Sequence, residues 1–357
     1  MGAKLARLDW LVLCLAVLLA MAHPAQAQAG GVIAGQVVNG TAGGPAVGAG
    51  LTVTLRVLQG ETELTPLETT TDERGRFQFG NLDTDPALAY SPEVTYLEVV
   101  YPSSQSYSFA AGQTELSATV TVYETTGDDS SVRVDSVHMI AESFEQVLRI
   151  SEVHVFGNTA DRSFTGKVND ASNGQKVTVF IPLPGNAVGL AFPEGESSER
   201  FIQVARGIWD TQPVPPGADT AVVRFSYHLV VEGPLVPLVR SFAYPVSMLN
   251  VLVVQPGLTL RGDQLVAGEA MAFQGRDYQV YQVVDLGPDT ELSMEFFPTA
   301  VSGAATTPAP TPGAEVSSRS AAQGQQGLLK WLGFGLAALA AVGAVAYPLL
   351  TRPRTRV

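Results

Sequence analysis

A side-chain period of two runs through this chain wherever the sequence is regular, and it limits the fold more than any other feature. Leu51-Thr52-Val53-Thr54-Leu55-Arg56-Val57 alternates strictly, which places Leu51, Val53, Leu55 and Val57 on one buried face of a strand. Farther along, Ala221, Val223, Phe225, Tyr227, Leu229 and Val231 alternate with Val222, Arg224, Ser226, His228 and Val230, so the odd-numbered residues face a core. Short β-type runs from Val32 to Tyr123 are separated by Gly, Pro, Asn and Asp clusters, and helical periodicity is absent there. The expected fold is all-β: a sandwich over 31–125 and a second β-rich domain over 130–298. A break from Thr125 to Ser131 separates the two. For the second domain an Ig-like or related sandwich is expected, although its length also leaves room for two smaller ones.

Two apolar segments bracket this β-rich region. Residues 1–27 read as a secretory signal peptide: Lys4 and Arg7, an apolar run from Trp10 to Ala22, then Ala25-Gln26-Ala27 as a small-x-small cleavage site. At the other end Trp331 to Leu350 carries no charge, long enough for one transmembrane helix within 328–350. Arg352, Arg354 and Arg356 follow, favouring a short cytoplasmic tail at 351–357 and an exterior N-terminal ectodomain, periplasmic or extracellular. Between 301 and 326 the composition turns to Ala, Thr, Pro, Ser, Gly and Gln. Such a segment buries too little apolar surface to offset its ordering entropy, so a stalk is expected.

Cleavage after Ala27 would remove Cys14, the single cysteine, leaving the exported part without disulfides or thiolate ligands. Its stability must come from packing. Residues 28–326 hold 15 basic and 33 acidic side chains, a net charge of −18. That field repels nucleic acid and anionic headgroups. It fits a solvated exterior domain.

The most specific motif is Thr71-Asp72-Glu73-Arg74-Gly75-Arg76-Phe77-Gln78-Phe79. Asp72 can accept bonds from the backbone amides of a tight turn, Gly75 can take the positive φ that turn needs, and Phe77 and Phe79 then share a core face. Together with Gly35-Gln36-Val37-Val38-Asn39-Gly40 upstream and Leu51-Thr52-Val53-Thr54-Leu55 between, this stretch resembles the carboxypeptidase regulatory-like domain over roughly residues 31–123. The resemblance implies a transthyretin-like β-sandwich that is non-catalytic, and it brings no catalytic residue with it. Collagen-adhesin-type sandwiches form a related group with an internal Lys–Asn crosslink. Residues 28–166 contain no lysine, which excludes that crosslink from the first domain.

A search for reaction chemistry returns little. After signal removal the histidines are His138, His154 and His228, none in a zinc-motif spacing. His228 falls on the polar side of its strand beside Arg224 and Ser226, and His138 and His154 carry no distinguishing context. Neither a Gly-x-Ser-x-Gly elbow nor a phosphate loop is present. Asn81, Asp83 and Asp85 alternate as at the start of a calcium loop, but Pro86 stands where the turn glycine belongs and Pro92 where the closing glutamate belongs. A polar turn is the expectation. Asn39-Gly40-Thr41 fits both a glycosylation acceptor and a turn. Tyr90, Tyr96, Tyr101 and Tyr107 offer either a sugar-stacking face or ordinary sandwich core.

No catalytic, cofactor-binding or metal-binding residue is therefore assigned, and no cofactor is expected. The sequence reads as a non-enzymatic, single-pass envelope protein that presents β-sandwich domains to a protein partner or serves as accessory subunit of a membrane complex. A carbohydrate or cell-wall binding module is the alternative. A third reading is a hydrolase with an unrecognised site in 130–298.

Overall fold

The computed structural model describes residues 30–298 apart from 145, 169–173, 194–198 and 274. The expected signal, stalk, transmembrane helix and tail lie outside the described residues. Within them the chain is all-β, and no helix is long and apolar enough to cross a membrane. Contacts divide the chain into two compact units that meet between Thr125 and Thr126.

In the first unit the central strand of a three-stranded sheet is Gly31–Asn39. It pairs antiparallel with Arg76–Leu82 and parallel with Glu115–Val122. A five-stranded sheet is organised around Thr52–Gln59, which pairs with Thr62–Glu63, Leu67–Thr70 and Leu88–Tyr96; the last of these carries Val99–Pro102. One core joins the two sheets. Ile33, Val37, Phe77, Phe79, Val120 and Val122 meet Val53, Leu55, Val57, Tyr90, Val94 and Tyr101. The alternation in 51–57 acts as expected for Val53, Leu55 and Val57, which are buried, while Leu51 sits half-buried just before the strand begins.

The Asp72 motif forms its turn by the expected route. Asp72 Oδ1 accepts the backbone N–H groups of Arg74 and Arg76 at 2.9 Å each, and its Oδ2 accepts Arg76 Nε at 2.8 Å. Those bonds, that from the Arg76 side chain first, hold the Asp72 carboxyl down at about 2. Gly75 has a φ of 71°, and a Cβ there would lie 2.8 Å from the Val37 carbonyl oxygen. Conformation and space both require glycine. Phe77 and Phe79 then enter the core with ring centroids 6.0 Å apart, edge to face.

The second unit is dominated by an eight-stranded sheet. Its order is Val188–Ala191, Gly217–Val230, Val147–Asn158, Val132–Phe144, Val246–Gln255, Arg276–Leu286 and Val266–Ala267, with Met271–Phe273 also paired to Arg276–Leu286. All described pairings are antiparallel except that of Val132–Phe144 with Val246–Gln255. Two three-stranded sheets supply inward residues to the same core: Leu238, Leu260 and Phe296 from one, Ile181, Ile208 and Phe201 from the other. The odd-numbered residues Val223, Phe225, Tyr227 and Leu229 are buried in that core, and the strand runs back to Gly217.

Candidate binding site

Two polar constellations stand out in the second unit, one on each face of the eight-stranded sheet. The inner one is sealed. Glu152 and His154 lie two residues apart on Val147–Asn158, on the same face as Leu148, Ile150 and Phe156. Glu152 Oε2 accepts bonds from His154 Nε2 and Arg240 Nη2, each at 2.7 Å, and its Oε1 accepts the Tyr227 hydroxyl at 2.7 Å. Arg240 also donates from Nη1 to the Pro182 carbonyl at 2.5 Å. Since Glu152 is an acceptor, these partners place the imidazole proton on Nε2.

The electrostatics follow from this geometry. Burial alone would raise the Glu152 carboxyl, but the charge of Arg240 and the bonds from His154 and Tyr227 outweigh it and hold the group at about 2. Burial keeps His154 below its ordinary range despite the adjoining carboxylate, and raises Tyr227 well above its own. Thus one carboxylate and one guanidinium neutralise each other, with imidazole and phenol uncharged. The aromatic rings of Phe156, Phe225 and Phe242 enclose His154 at centroid distances of 6.2, 5.4 and 6.0 Å. His154 and Glu152 are each 1 % exposed. A carboxylate–histidine pair enclosed to this degree joins layers. Arg240 ties its own sheet to the large sheet through Glu152 and to the 180–182 strand through Pro182.

The outer constellation faces the other way. Val153, Val155 and Leu252 are 6, 6 and 3 % exposed, yet they belong to neither hydrophobic core, since they point from the opposite face of the sheet. Around them run polar ladders. His138 stands opposite Asn250, and Asn250 opposite Gln282, with Gln282 Nε2 donating to Asn250 Oδ1 at 2.8 Å. Burial lowers His138, and His154 behind it adds to the effect. A neighbouring ladder joins Ser226, Ser151, Ile140 and Leu252, and the next joins His228, Arg149 and Glu142. Glu142 is held by Arg276. His228 is therefore outward and half-buried, as its strand position predicts.

A pocket of about 90 Å³ opens on this face between Arg149, Ser151, Ser226, Phe192, Pro193 and Arg224. Its aromatic wall is fixed from behind. Phe192 stacks on Phe201 at 4.3 Å and 5°, and the Arg200 guanidinium lies 4.6 Å over the Phe201 ring. Arg200 in turn makes a two-pronged bond to Asp210, at 2.8 and 2.7 Å. Arg149 lines the pocket, while its Nε is enclosed by protein and has no hydrogen-bond partner among the described residues.

The other sequence candidates resolve differently. Asp83 Oδ1 accepts the Asp85 N–H and Asp85 Oδ1 accepts the Ala87 N–H, so Asp83 and Asp85 cap turns; with Asn81, at a φ of 57°, they form the polar turn. Among the described residues no group of three or more His, Cys, Asp or Glu is placed to hold a metal ion. Asn39 Nδ2 donates to the Pro45 carbonyl and to Glu124 Oε1, and its Oδ1 accepts the Thr41 N–H. The side chain is used as a loop brace. Tyr90, Tyr101 and Tyr107 are 2, 3 and 9 % exposed, and Tyr96 donates to Glu124 at 2.7 Å, so these tyrosines make core and make no open stacking platform.

No family model matches the chain, and no curated protein matches it. Solved structures that resemble it include the M1 zinc metallopeptidase from Deinococcus radiodurans, at 13 % identity and a TM-score of 0.32 over 47 % of this chain and 42 % of that one. Others are BcpA, the major pilin subunit of Bacillus cereus, at 11 % identity and 0.19 over 76 % and 95 %, and a putative carbohydrate binding protein from Bacteroides uniformis, at 10 % identity and 0.16 over 71 % and 98 %. The chain spans less than half the length of the metallopeptidases it matches. Similarities of this size assign neither a family nor an activity.

Proposed function

We propose that this is a non-enzymatic, membrane-anchored envelope protein that meets its partner through the outer face of the eight-stranded sheet. In this reading the first unit is a carboxypeptidase regulatory-like sandwich that spaces or supports the second. The signal peptide exports both, and the C-terminal helix holds them at the membrane on a stalk. The observation that carries the proposal is the exposure of Val188, Val230 and Val284, at 50, 50 and 62 %, on the same outward face as His228 and Gln282. Apolar side chains exposed among polar ladders make a mixed surface, the composition that specific contact sites favour. The acidic ectodomain points to a partner that presents a basic or neutral rim.

Chemical crosslinking in intact membranes followed by mass spectrometry tests this reading. A specific neighbour crosslinked to the 132–158 and 217–230 regions is expected. If no specific neighbour is recovered and the protein is instead retained on purified glycan, the carbohydrate-binding reading takes its place. Protease applied to sealed cells, or to spheroplasts where an outer barrier intervenes, should remove both units. Survival of those units within the cytosol would overturn the anchored topology.

A further inference from the structure

We infer that the pocket bounded by Arg149, Ser151 and Ser226 is a binding site for a single carboxylate group. The inference rests on the reading of this sheet face as the ligand-facing side, and it names the chemistry that face takes. Three observations support it. Arg149 stands opposite Glu142 in the ladder, and Glu142 is also held by Arg276, so that carboxylate is shared between two cations. Arg149 and Arg224 both line the pocket, so two guanidinium-bearing side chains border a small space that suits an anion. Ser151 and Ser226 are cross-strand partners and both line the pocket, placing two hydroxyl groups beside the cation.

The size and wall of the pocket narrow the ligand. About 90 Å³ holds one small group, and a planar carboxylate matches the fork of a guanidinium. Phe192 and Pro193 offer apolar surface to the carbon body that carries the acid. The net charge of −18 between residues 28 and 326 repels polyanions over a longer range than Arg149 and Arg224 can attract them. A lone charge is the form this site accepts. That charge can come from a free short acid or from the acid of a sugar ring, and the two are separable by titration.

The full chain, purified in detergent and labelled at arginine Nε, is titrated with acetate, with D-glucuronate and with D-glucose while the Arg149 Nε–H resonance is followed by NMR. A saturable shift with either acid, and none with glucose, is expected. Acetate binding alone identifies a short free acid, and tighter binding of glucuronate identifies a sugar acid. Calorimetry on Arg149→Met should show affinity reduced about tenfold or more, the usual consequence of losing a charge-assisted pair. Ser226→Ala should weaken binding severalfold while the melting temperature stays unchanged, which separates lost contact from lost fold. The inference is overturned if neither acid saturates the shift at tens of millimolar, if glucose matches glucuronate, or if Arg149→Met binds as tightly as the native chain. None of these failures touches the crosslinking result, so the partner reading and the carboxylate site stand or fall separately.

Discussion

Replacing Arg240 by methionine removes the one cation in the sealed cluster while filling most of the same volume. Glu152 keeps its bonds from Tyr227 and His154 but loses the guanidinium 2.7 Å away, and the Pro182 carbonyl loses its donor. An uncompensated buried carboxylate costs about 3–5 kcal/mol, and an unpaired buried carbonyl about 1–3 kcal/mol. The two share Arg240 and do not add fully. A loss of about 4 kcal/mol is a large part of the stability of an ordinary domain, about 5–15 kcal/mol. Urea unfolding at pH 7 measures it through Trp209, the single tryptophan between residues 28 and 326. The decisive comparison is the same substitution in a Glu152→Gln background, where no charge is stranded and the cost should fall to about 1–2 kcal/mol. An equal loss in both backgrounds, or a loss below about 1 kcal/mol in the native one, would refute the view that Arg240 acts by neutralising Glu152.

Other consequences are open to direct measurement. Burial lowers the folded-state values of His154 and His138 below 6.5, so below pH 6.5 the unfolded chain takes up protons that the folded one refuses. Stability is then complete above that pH and declines with acidification by about 1.4 kcal/mol per pH unit for each such group; His154→Gln should flatten the slope. Glu152, at about 2 against 4.5, contributes fully above pH 4.5 and loses its contribution as pH falls toward 2. Gly75→Ala forces a Cβ into a left-handed turn 2.8 Å from Val37 O and should cost the first unit about 1–2 kcal/mol or more, read as a fall in its melting temperature. Expressed in a glycosylating host, Asn39 should remain unmodified by mass spectrometry, because its amide is committed to Pro45 and Glu124.

The all-β class was legible because period-two alternation is a local signal: each of Val223, Phe225, Tyr227 and Leu229 announces its own face. The Asp72 turn was legible for the same reason, since every group it needs lies within nine residues. The sealed cluster was written in the same code but overlooked. Glu152 and His154 occupy the apolar phase of Leu148, Ile150 and Phe156, and Arg240 occupies the phase of Val236, Leu238 and Phe242. A charge in an apolar phase implies a buried partner, but which partner is a tertiary fact, with Arg240 88 residues from Glu152. The tyrosines left two readings open, because residue type alone does not separate a stacking platform from a core. The pocket was out of reach, since it depends on tertiary structure that brings Phe192 beside Ser151 and Ser226.

The parallel pairing of Gly31–Asn39 with Glu115–Val122 has a temporal meaning. The strand made first can complete its sheet only after Glu115–Val122 has emerged, and in the second unit Val132–Phe144 likewise waits for Val246–Gln255, which further strands follow. Loop closure on that scale is slow relative to hairpin formation. The first unit must therefore stay open until nearly all of its chain has been synthesised, and the large sheet of the second until Val246–Gln255 has been.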